Sequence, residues 1–247
     1  MKPHEYRRNF DLEQDYWYFK VVREMAEQLI SDALDGGPWG RLLDVGCGTG
    51  AWLDVVKTHT DDFLGVDTSE EALEFCRSRG HTSLLRADAT SIPRPAGSFE
   101  LLTALGVIEH VDDDQAFLDE ARRLLAPGGL MVLMTSSFPF LWSMSDVANE
   151  HRRRYYLSAL NDKIRKTGFR TLRFSHFNFL LFPALASALI AHRLVVGLES
   201  DRPERILPRP ARPLNAALTA ILRVEKALMR RVRLPWGVSM IGTFRRE

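Results

Sequence analysis

The sequence predicts an α/β fold, in which a doubly wound, mainly parallel β-sheet carries helices on both faces. Short apolar segments alternate with amphipathic helical segments through the first two thirds of the 247 residues, which is the pattern of strands joined by helical crossovers. Hydrophobic residues make up 45% of the chain and charged residues 26%, as in ordinary globular proteins. We therefore expect one domain, residues 1–247, that is long enough to include a lid.

The elements can be placed in order along the chain. Residues 1–35 contain an amphipathic helix and are predicted to form a helical cap ahead of the first strand. Strands are predicted at 41–45, 62–67, 83–88, 99–105 and 130–137. Ser69 is placed to cap the helix that closes at Gly80, and three acids open the helix that ends at "APGG". Residues 176–235, with a proline-rich hinge at 202–213, are predicted to be a helical insertion or lid before a last strand within 236–246.

A glycine-rich turn follows the first predicted strand, with Gly46, Gly48 and Gly50 close together. Glycine in this pattern lets a ligand approach the backbone closely. The spacing G-x-G-x-G departs from the G-x-G-x-x-G of dinucleotide sites, and Asp44 just before the turn would repel a diphosphate. The same carboxylate suits S-adenosylmethionine, which carries a cationic amine and a cationic sulfur but no phosphate.

Two further acids follow the next strands. Asp67, beside Thr68, ends the second strand, where a carboxylate can accept hydrogen bonds from both ribose hydroxyls. Nicotinamide enzymes share that geometry, so NAD stays open as the alternative ligand. Asp88 and Ala89 follow the third strand, where they can meet an adenine amino group.

Four segments resemble, in order, the successive motifs of class I S-adenosylmethionine-dependent methyltransferases over residues 41–137. They are "LLDVGCGTG", "GVDTSEEAL", "RADATSIPRPAGSFELLTALGVIEHV" and "LLAPGGLMVLMTSS". The resemblance implies a Rossmann-like seven-stranded sheet whose last strand, within 236–246, is antiparallel. It also implies that 41–137 is the cofactor-binding core, with contacts at Asp44, Gly46, Gly48, Asp67, Asp88 and the chain near Leu105.

The N-terminal stretch "EQDYWYFKVVRE" is similar to the "E…HWWF…R" opening of a bacterial subgroup of these enzymes. That subgroup is associated with glycan or lipid-linked substrates. The resemblance implies that Tyr18 and Arg23 close over the methionine carboxylate of the cofactor. Trp17 and Phe19 can instead be core contacts against the sheet.

Two histidines are candidates for a general base. His110 follows Glu109 and the fourth strand, at the carboxyl edge where ligands bind in this architecture, and an unperturbed histidine titrates near neutral pH. His110 can equally be a structural residue bonded to the backbone, and His151 is its rival. Some related quinone O-methyltransferases use a glutamate three positions before the Glu-His pair to hold a metal. Gly106 stands there in this chain, so no metal is expected.

The stretch that begins at His151 is similar to an "H-x-R-R-Y" motif of the same subgroup. An anionic acceptor can bind there, because arginine gives bidentate contacts to phosphate and carboxylate. The residues predicted to contact the acceptor are Trp142, Arg153, Arg154 and Tyr155. The alternative is that the arginines are solvated or pair with acids such as Asp146 and Glu150.

The acceptor is predicted to be a small, partly apolar molecule or one linked to a lipid or sugar. Residues 177–191 are nearly all apolar but fall short of the roughly 20 needed to span a bilayer. They can form a lid over an apolar pocket, touch lipid, or pack as core or dimer surface. From residue 202 onward 11 Lys and Arg stand against 3 Asp and Glu, a balance that suits phosphate, anionic lipid or water.

The sequence thus predicts methyl transfer from S-adenosylmethionine, with oxygen as the favoured receiving atom. A non-catalytic S-adenosylmethionine-binding partner subunit and an NAD-dependent oxidoreductase are the alternatives. No RNA-binding module is evident, so nucleic acid is not expected as a partner. Cys47 and Cys76 lack metal or disulfide spacing, and the N-terminus lacks a signal-peptide core. A cytoplasmic protein is expected, and peripheral membrane contact through 176–235 stays open.

Overall fold

The apolar segments form one seven-stranded sheet in the computed structural model, which describes residues 3–196 and 210–247. The strands are β1 (Leu42–Val45), β2 (Phe63–Asp67), β3 (Leu84–Arg86), β4 (Phe99–Leu105), β5 (Leu125–Ser136), β6 (Phe169–Phe177) and β7 (Ser239–Arg246). Their order across the sheet is β3-β2-β1-β4-β5-β7-β6. Neighbours among β1 to β5 run parallel, whereas β7 is antiparallel to both β5 and β6. The Rossmann-like fold with an antiparallel last strand is therefore confirmed.

β6 is the strand that the sequence analysis did not identify. The helical insertion was expected to begin at residue 176, but residues 176 and 177 still belong to β6. Arginines 170 and 173 and the pair Ser175 and His176 interrupt its apolar pattern, and the register shifts between Thr171 and Arg173. A strand at the edge of a sheet needs only one partner strand, so its sequence carries a weaker signal than a buried parallel strand does.

Nine helices in the described residues surround the sheet. They are α1 (Pro3–Leu12), α2 (Trp17–Ala33), α3 (Ala51–Val56), α4 (Glu70–Ser78), α5 (Asp114–Leu124), α6 (Met144–Ala148), α7 (Leu157–Lys166), α8 (Phe182–Val196) and α9 (Arg212–Met229). The Ser69 hydroxyl caps α4 by accepting the Ala72 N–H at 3.3 Å, as the sequence predicted. The predicted hinge at 202–213 lies outside the described residues up to residue 209.

Two apolar clusters cover the two faces of the sheet. Neighbouring residues of a strand point to opposite faces, so Leu43 and Leu102 join one cluster while Leu42 and Leu101 join the other. The second cluster also holds the buried face of α2 and part of α9. The N-terminal cap and the helical insertion therefore share one face of the sheet.

Polar contacts also join α9 to α2. Asn215 Oδ1 accepts the first backbone N–H of α2, from Trp17, at 3.0 Å. Arg223 and Lys226 both reach Glu24, at 2.6 Å and 3.2 Å. Arg223 lies half-exposed, so water screens this pairing and its contribution to stability is small. These two basic side chains of α9 are engaged inside the chain rather than presented to phosphate or lipid.

No helix among the described residues combines the length and apolarity that crossing a membrane requires.

Candidate cofactor and acceptor site

A cavity of about 760 Å³ opens at the carboxyl ends of the parallel strands. This volume is typical of small-molecule sites, and ligands bind at this edge of open α/β sheets. Thirteen of the predicted site residues line it, namely Tyr18, Arg23, Asp44, Gly46, Gly48, Asp67, Thr68, Asp88, Ala89, Leu105, His110, His151 and Arg154. The structure thus brings residues separated by more than a hundred positions into one site.

Asp44 provides a buried carboxylate at the end of β1. It accepts a hydrogen bond from the Thr103 hydroxyl at 2.6 Å, and Thr103 in turn accepts the indole N–H of Trp52 at 3.0 Å. Burial raises the pKa of Asp44 to about 7, although the bond from Thr103 acts in the opposite direction. A cationic ligand in the cavity would stabilise the charged form of this carboxylate.

Asp67 closes the glycine turn from the end of β2. Its carboxylate accepts the backbone N–H groups of Gly48 at 3.0 Å and Ser69 at 2.9 Å. Burial raises the pKa of Asp67, and these backbone bonds oppose the increase. The carboxylate is therefore held in a fixed orientation on the cavity wall.

The three glycines of the turn serve different purposes. Gly46 and Gly48 have φ of +67° and +53°, a region that residues with a Cβ adopt rarely. A Cβ on Gly46 would lie 2.5 Å from Val107 Cγ2, whereas a Cβ on Gly48 would meet no protein atom within 4 Å. Gly48 therefore leaves open space for a ligand. Gly50 does not line the cavity, and its Cβ position faces Cys76 Sγ at 3.0 Å, so it serves helix packing rather than the predicted cofactor contact.

The N-terminal cap closes the cavity from above the turn. Arg23 lines the wall; burial lowers the pKa of its guanidinium, and the nearby Glu13 carboxylate acts in the opposite direction. Tyr18 also lines the wall, and its hydroxyl lies 3.2 Å from Ser239 Oγ. Burial raises the pKa of Tyr18 to about 12, so it stays neutral. Trp17 is buried in the core cluster and also lines the cavity, as does Phe19.

Glu13 is a wall residue that the sequence analysis missed. Its carboxylate accepts the Thr49 hydroxyl at 2.5 Å and Arg79 Nη2 at 2.7 Å. These bonds tie the segment between α1 and α2 to the glycine turn. The sequence signal that could have identified Glu13 is its position as the first residue of "EQDYWYFKVVRE", the stretch that resembles the opening motif of the subgroup.

The two candidate histidines meet on the wall. Their ring centroids are 4.7 Å apart and the ring planes are nearly perpendicular. Burial lowers the pKa of His110, and the neighbouring Glu109 carboxylate acts in the opposite direction. His110 is thus neutral at neutral pH.

His151 has a buried carboxylate partner. Its Nδ1 lies 2.8 Å from Asp146 Oδ1, and the fully buried Asp146 also accepts Arg154 Nε at 2.7 Å and the backbone N–H of Ser143 at 2.8 Å. Burial alone would raise the pKa of Asp146, but the bonds from His151 and Arg154 hold it below its usual value. A carboxylate bonded to Nδ1 leaves Nε2 of the imidazole to exchange a proton with a ligand.

The other predicted acceptor residues are located elsewhere. Tyr155 is buried and donates to Asp114 Oδ2 at 2.9 Å, and Arg153 reaches the backbone oxygen of Asp112 at 2.6 Å. Neither residue lines the cavity, and neither does Trp142, which follows the short 3-10 turn Pro139–Leu141. The geometry therefore assigns Tyr155 and Arg153 to holding this segment on the start of α5. Arg154 reaches the wall, but its guanidinium is committed to Asp146 and the backbone oxygen of Ser137.

One part of the cavity wall is formed by apolar side chains. Leu185, Ala188 and Leu189 of α8 line the cavity, and their spacing places them on one side of that helix. Among the three interpretations of residues 177–191, this placement favours the lid.

Comparisons with known proteins agree with this geometry. Residues 43–133 match the family described as "Methyltransferase domain". These residues carry a methyltransferase domain. The cofactor implied by a domain of this class is S-adenosylmethionine. The open space at Gly48 and the buried carboxylates of Asp44 and Asp67 are compatible with a cationic ligand that carries hydroxyls.

The relatives of this methyltransferase domain differ in what they modify. The tRNA (carboxymethyluridine(34)-5-O)-methyltransferase alkbh8 of Xenopus tropicalis is 30% identical over 142 residues, which are 56% of this chain and 21% of that protein. The ubiquinone biosynthesis O-methyltransferase of Bordetella avium is 25% identical over 134 residues, 52% of this chain and 56% of that protein. The chain therefore spans little more than half, or less, of the length of these relatives.

Solved structures show the same fold over nearly the whole chain. A S-adenosylmethionine-dependent methyltransferase from Thermotoga maritima, a possible histamine N-methyltransferase, superposes with a TM-score of 0.61 at 20% identity and covers 99% of this chain and 96% of that one. At this identity the likeness is one of fold.

Proposed function

We propose that this protein transfers the methyl group of S-adenosylmethionine to a hydroxyl of a small, partly apolar acceptor, free or linked to a lipid or sugar. The observation that carries the proposal is the His151–Asp146 pair, 2.8 Å apart, on the wall of a cavity that also contains the glycine turn. S-adenosylmethionine supplies a methyl group that is already activated on a sulfonium. The protein therefore has to orient the acceptor, exclude water and remove one proton.

The cofactor half of the cavity offers a complementary charge at each end. Asp44 and Asp67 are buried carboxylates beside the open backbone of Gly48, and they suit the amine and the ribose hydroxyls. Arg23 suits the carboxylate, because its positively charged guanidinium lines the cavity. A diphosphate between Asp44 and Asp67 would meet two like charges, which argues against NAD.

We assign the general base to His151 rather than His110. Asp146 fixes the tautomer of His151, so Nε2 can accept the proton of the acceptor hydroxyl. The Asp146 carboxylate then stabilises the resulting imidazolium at 2.8 Å. His110 packs edge-on against His151 and is hydrogen-bonded to the backbone of Glu150, so it forms the wall beside the base.

The relatives support oxygen as the receiving atom, since both printed names place the methyl group on oxygen. The apolar wall on α8 supports a partly apolar acceptor, because hydrocarbon surface gains about 25 cal/mol per Å² when it is removed from water. The engaged side chains of Arg153 and Tyr155 remove two of the groups that an anionic acceptor would have used.

Two measurements test the proposal. In calorimetric titration we expect S-adenosylhomocysteine to bind and NAD not to bind; the reverse would make the protein a nicotinamide enzyme. Cell extract incubated with the protein and isotopically labelled S-adenosylmethionine should then yield a labelled methyl ether by mass spectrometry. Binding without any labelled product would indicate a non-catalytic partner subunit, and label on nitrogen or carbon would overturn the assignment to oxygen.

A further inference from the structure

One polar atom on the cavity wall has no partner. Asn178 lines the cavity and is 1% exposed, and its Oδ1 accepts no hydrogen bond within the described residues. The other buried side-chain atoms without a partner in that part of the chain belong to residues away from the cavity, namely His81, Arg122, Arg173, His192 and Arg246. A buried acceptor left without a donor costs about 1–3 kcal/mol, so a bound ligand is the natural source of the missing donor.

The backbone of Asn178 is held in a conformation that few side-chain residues adopt. Its φ is +60°, in the left-handed region where glycine would be free of strain. The fully buried carboxylate of Glu225 fixes the turn by accepting the N–H groups of Phe179 at 3.0 Å and Leu180 at 2.7 Å. Asparagine tolerates this region better than most residues with a Cβ, and the turn fixes the direction in which its amide points.

Asn178 lies at the β6 and β7 end of the cavity. It directly follows β6, whose last residue Phe177 lies opposite Ser239 of β7. Ser239 and its hydrogen-bond partner Tyr18 both line the cavity. The β6 and β7 end of the sheet is separated from β1 and β2, which carry the cofactor carboxylates, by β4 and β5.

The wall next to Asn178 is hydrocarbon. Helix α8 begins four residues later and lines the cavity with Leu185, Ala188 and Leu189. A molecule that satisfies the Asn178 oxygen must donate a hydrogen bond, while its remaining surface meets apolar side chains. The combination selects an amphipathic acceptor.

We propose that Asn178 binds the methyl acceptor through its side-chain oxygen, and that the acceptor carries a hydroxyl beside an alkyl or aryl group that packs on α8. This assignment rests on the proposed function, because it places the acceptor in the cavity that the cofactor shares.

Two matched probes test the assignment on the full chain saturated with S-adenosylhomocysteine. 4-Heptylphenol and heptylbenzene share an alkyl-aryl body, but only the phenol donates a hydrogen bond. We expect both to bind saturably, the phenol about tenfold more tightly, as one hydrogen bond allows. Asn178→Gly keeps the left-handed backbone and removes the amide, so the tenfold preference should vanish while the hydrocarbon binds as before. Leu189→Ala should instead weaken both probes by a similar factor.

Asp35→Gly is the control, since Asp35 also has a positive φ, of +49°, but lies outside the cavity. It should leave both probe affinities unchanged. A phenol preference that persists in Asn178→Gly overturns the role of Asn178, and absence of saturable binding by either probe overturns the acceptor class. Both outcomes leave the proposed function standing, because its failure would appear as lost binding of S-adenosylhomocysteine itself.

Discussion

Left-handed backbone occurs at both ends of the cavity, but different residue types adopt it. At the glycine turn the residues with positive φ are Gly46, Gly48 and Gly50. Among the described residues other than glycine that have positive φ, only Asn178 lines the cavity. Glycine takes this conformation without steric cost, whereas a residue with a Cβ is strained in it. We therefore expect the cofactor to meet bare backbone at the glycine turn and the acceptor to meet the side chain of Asn178.

This difference between the two ends of the cavity predicts that the turnover rate depends mainly on residues at the acceptor end. His151→Ala should lower the turnover rate by about 10²–10⁴-fold, the range for losing a general base, with unchanged affinity for S-adenosylhomocysteine. The rate of S-adenosylhomocysteine formation at saturating acceptor measures this. His110→Ala is the matched variant and should lose much less. The reverse ranking of the two histidines would transfer the base to His110.

Cofactor binding should depend on the glycine end. Asp67→Ala should weaken S-adenosylhomocysteine binding by at least tenfold, because the ribose hydroxyls and the Gly48 N–H both lose their acceptor. Calorimetric titration gives the affinity. Asp62→Ala removes an exposed carboxylate that pairs with Arg41 near the opposite end of β2, and it should bind normally. Equal affinities of the two variants would remove Asp67 from the site.

The affinity of the cofactor end for its ligand should also depend on pH. Since burial raises the pKa of Asp44 to about 7, the empty site holds a proton that a cationic amine displaces. Affinity for S-adenosylhomocysteine should therefore rise as pH increases towards 7, by up to about tenfold per pH unit, and level off above it. Asp44→Asn should flatten this titration curve; a curve of the same slope in the variant would assign the proton to another group.

The contribution of Asp44 to the free energy of unfolding should change with pH in the opposite direction to the cofactor affinity. The folded pKa of Asp44 lies above its unfolded value, so the empty protein gains stability from this group at low pH. That gain is lost as pH rises from about 4 through 7. Urea unfolding of the empty protein measures this trend, and Asp44→Asn should reduce it.

The smallest effect on function is expected at Tyr155. Tyr155→Phe removes the hydrogen bond to Asp114 and should lower the free energy of unfolding by about 1–2 kcal/mol, with cofactor and probe affinities unchanged. Tyr156→Phe is the control, since that neighbouring side chain is half-exposed and should change neither quantity. Lost probe binding with intact stability would instead return Tyr155 to the acceptor site.

The fold, and the placement of the glycine turn and its acids on one cavity, could be predicted because their determinants are local. Strand–helix alternation, the glycines and the acids at strand ends all lie within short segments, and the fold they predicted is the one observed. The strand β6 escaped because polar residues and a register shift break its pattern.

The acceptor half could not be predicted in the same way, because its determinants are partners distant in the chain. The "RRY" residues resemble a ligand anchor until Asp114, some forty positions earlier, is found beside Tyr155. The side-chain oxygen of Asn178 is buried without a hydrogen-bond donor among the described residues, and Glu225 fixes the turn that holds it there. No single stretch of sequence contains either fact.

The joint between α2 and α9 has a mechanical consequence. Asn215 grips the start of α2, and Arg223 holds Glu24 one residue beyond Arg23. These contacts join α9 to α2, the helix that carries Arg23. We expect that a movement of α9 on departure of the product is passed to α2, so that release of the methylated molecule and exchange of the spent donor are coupled.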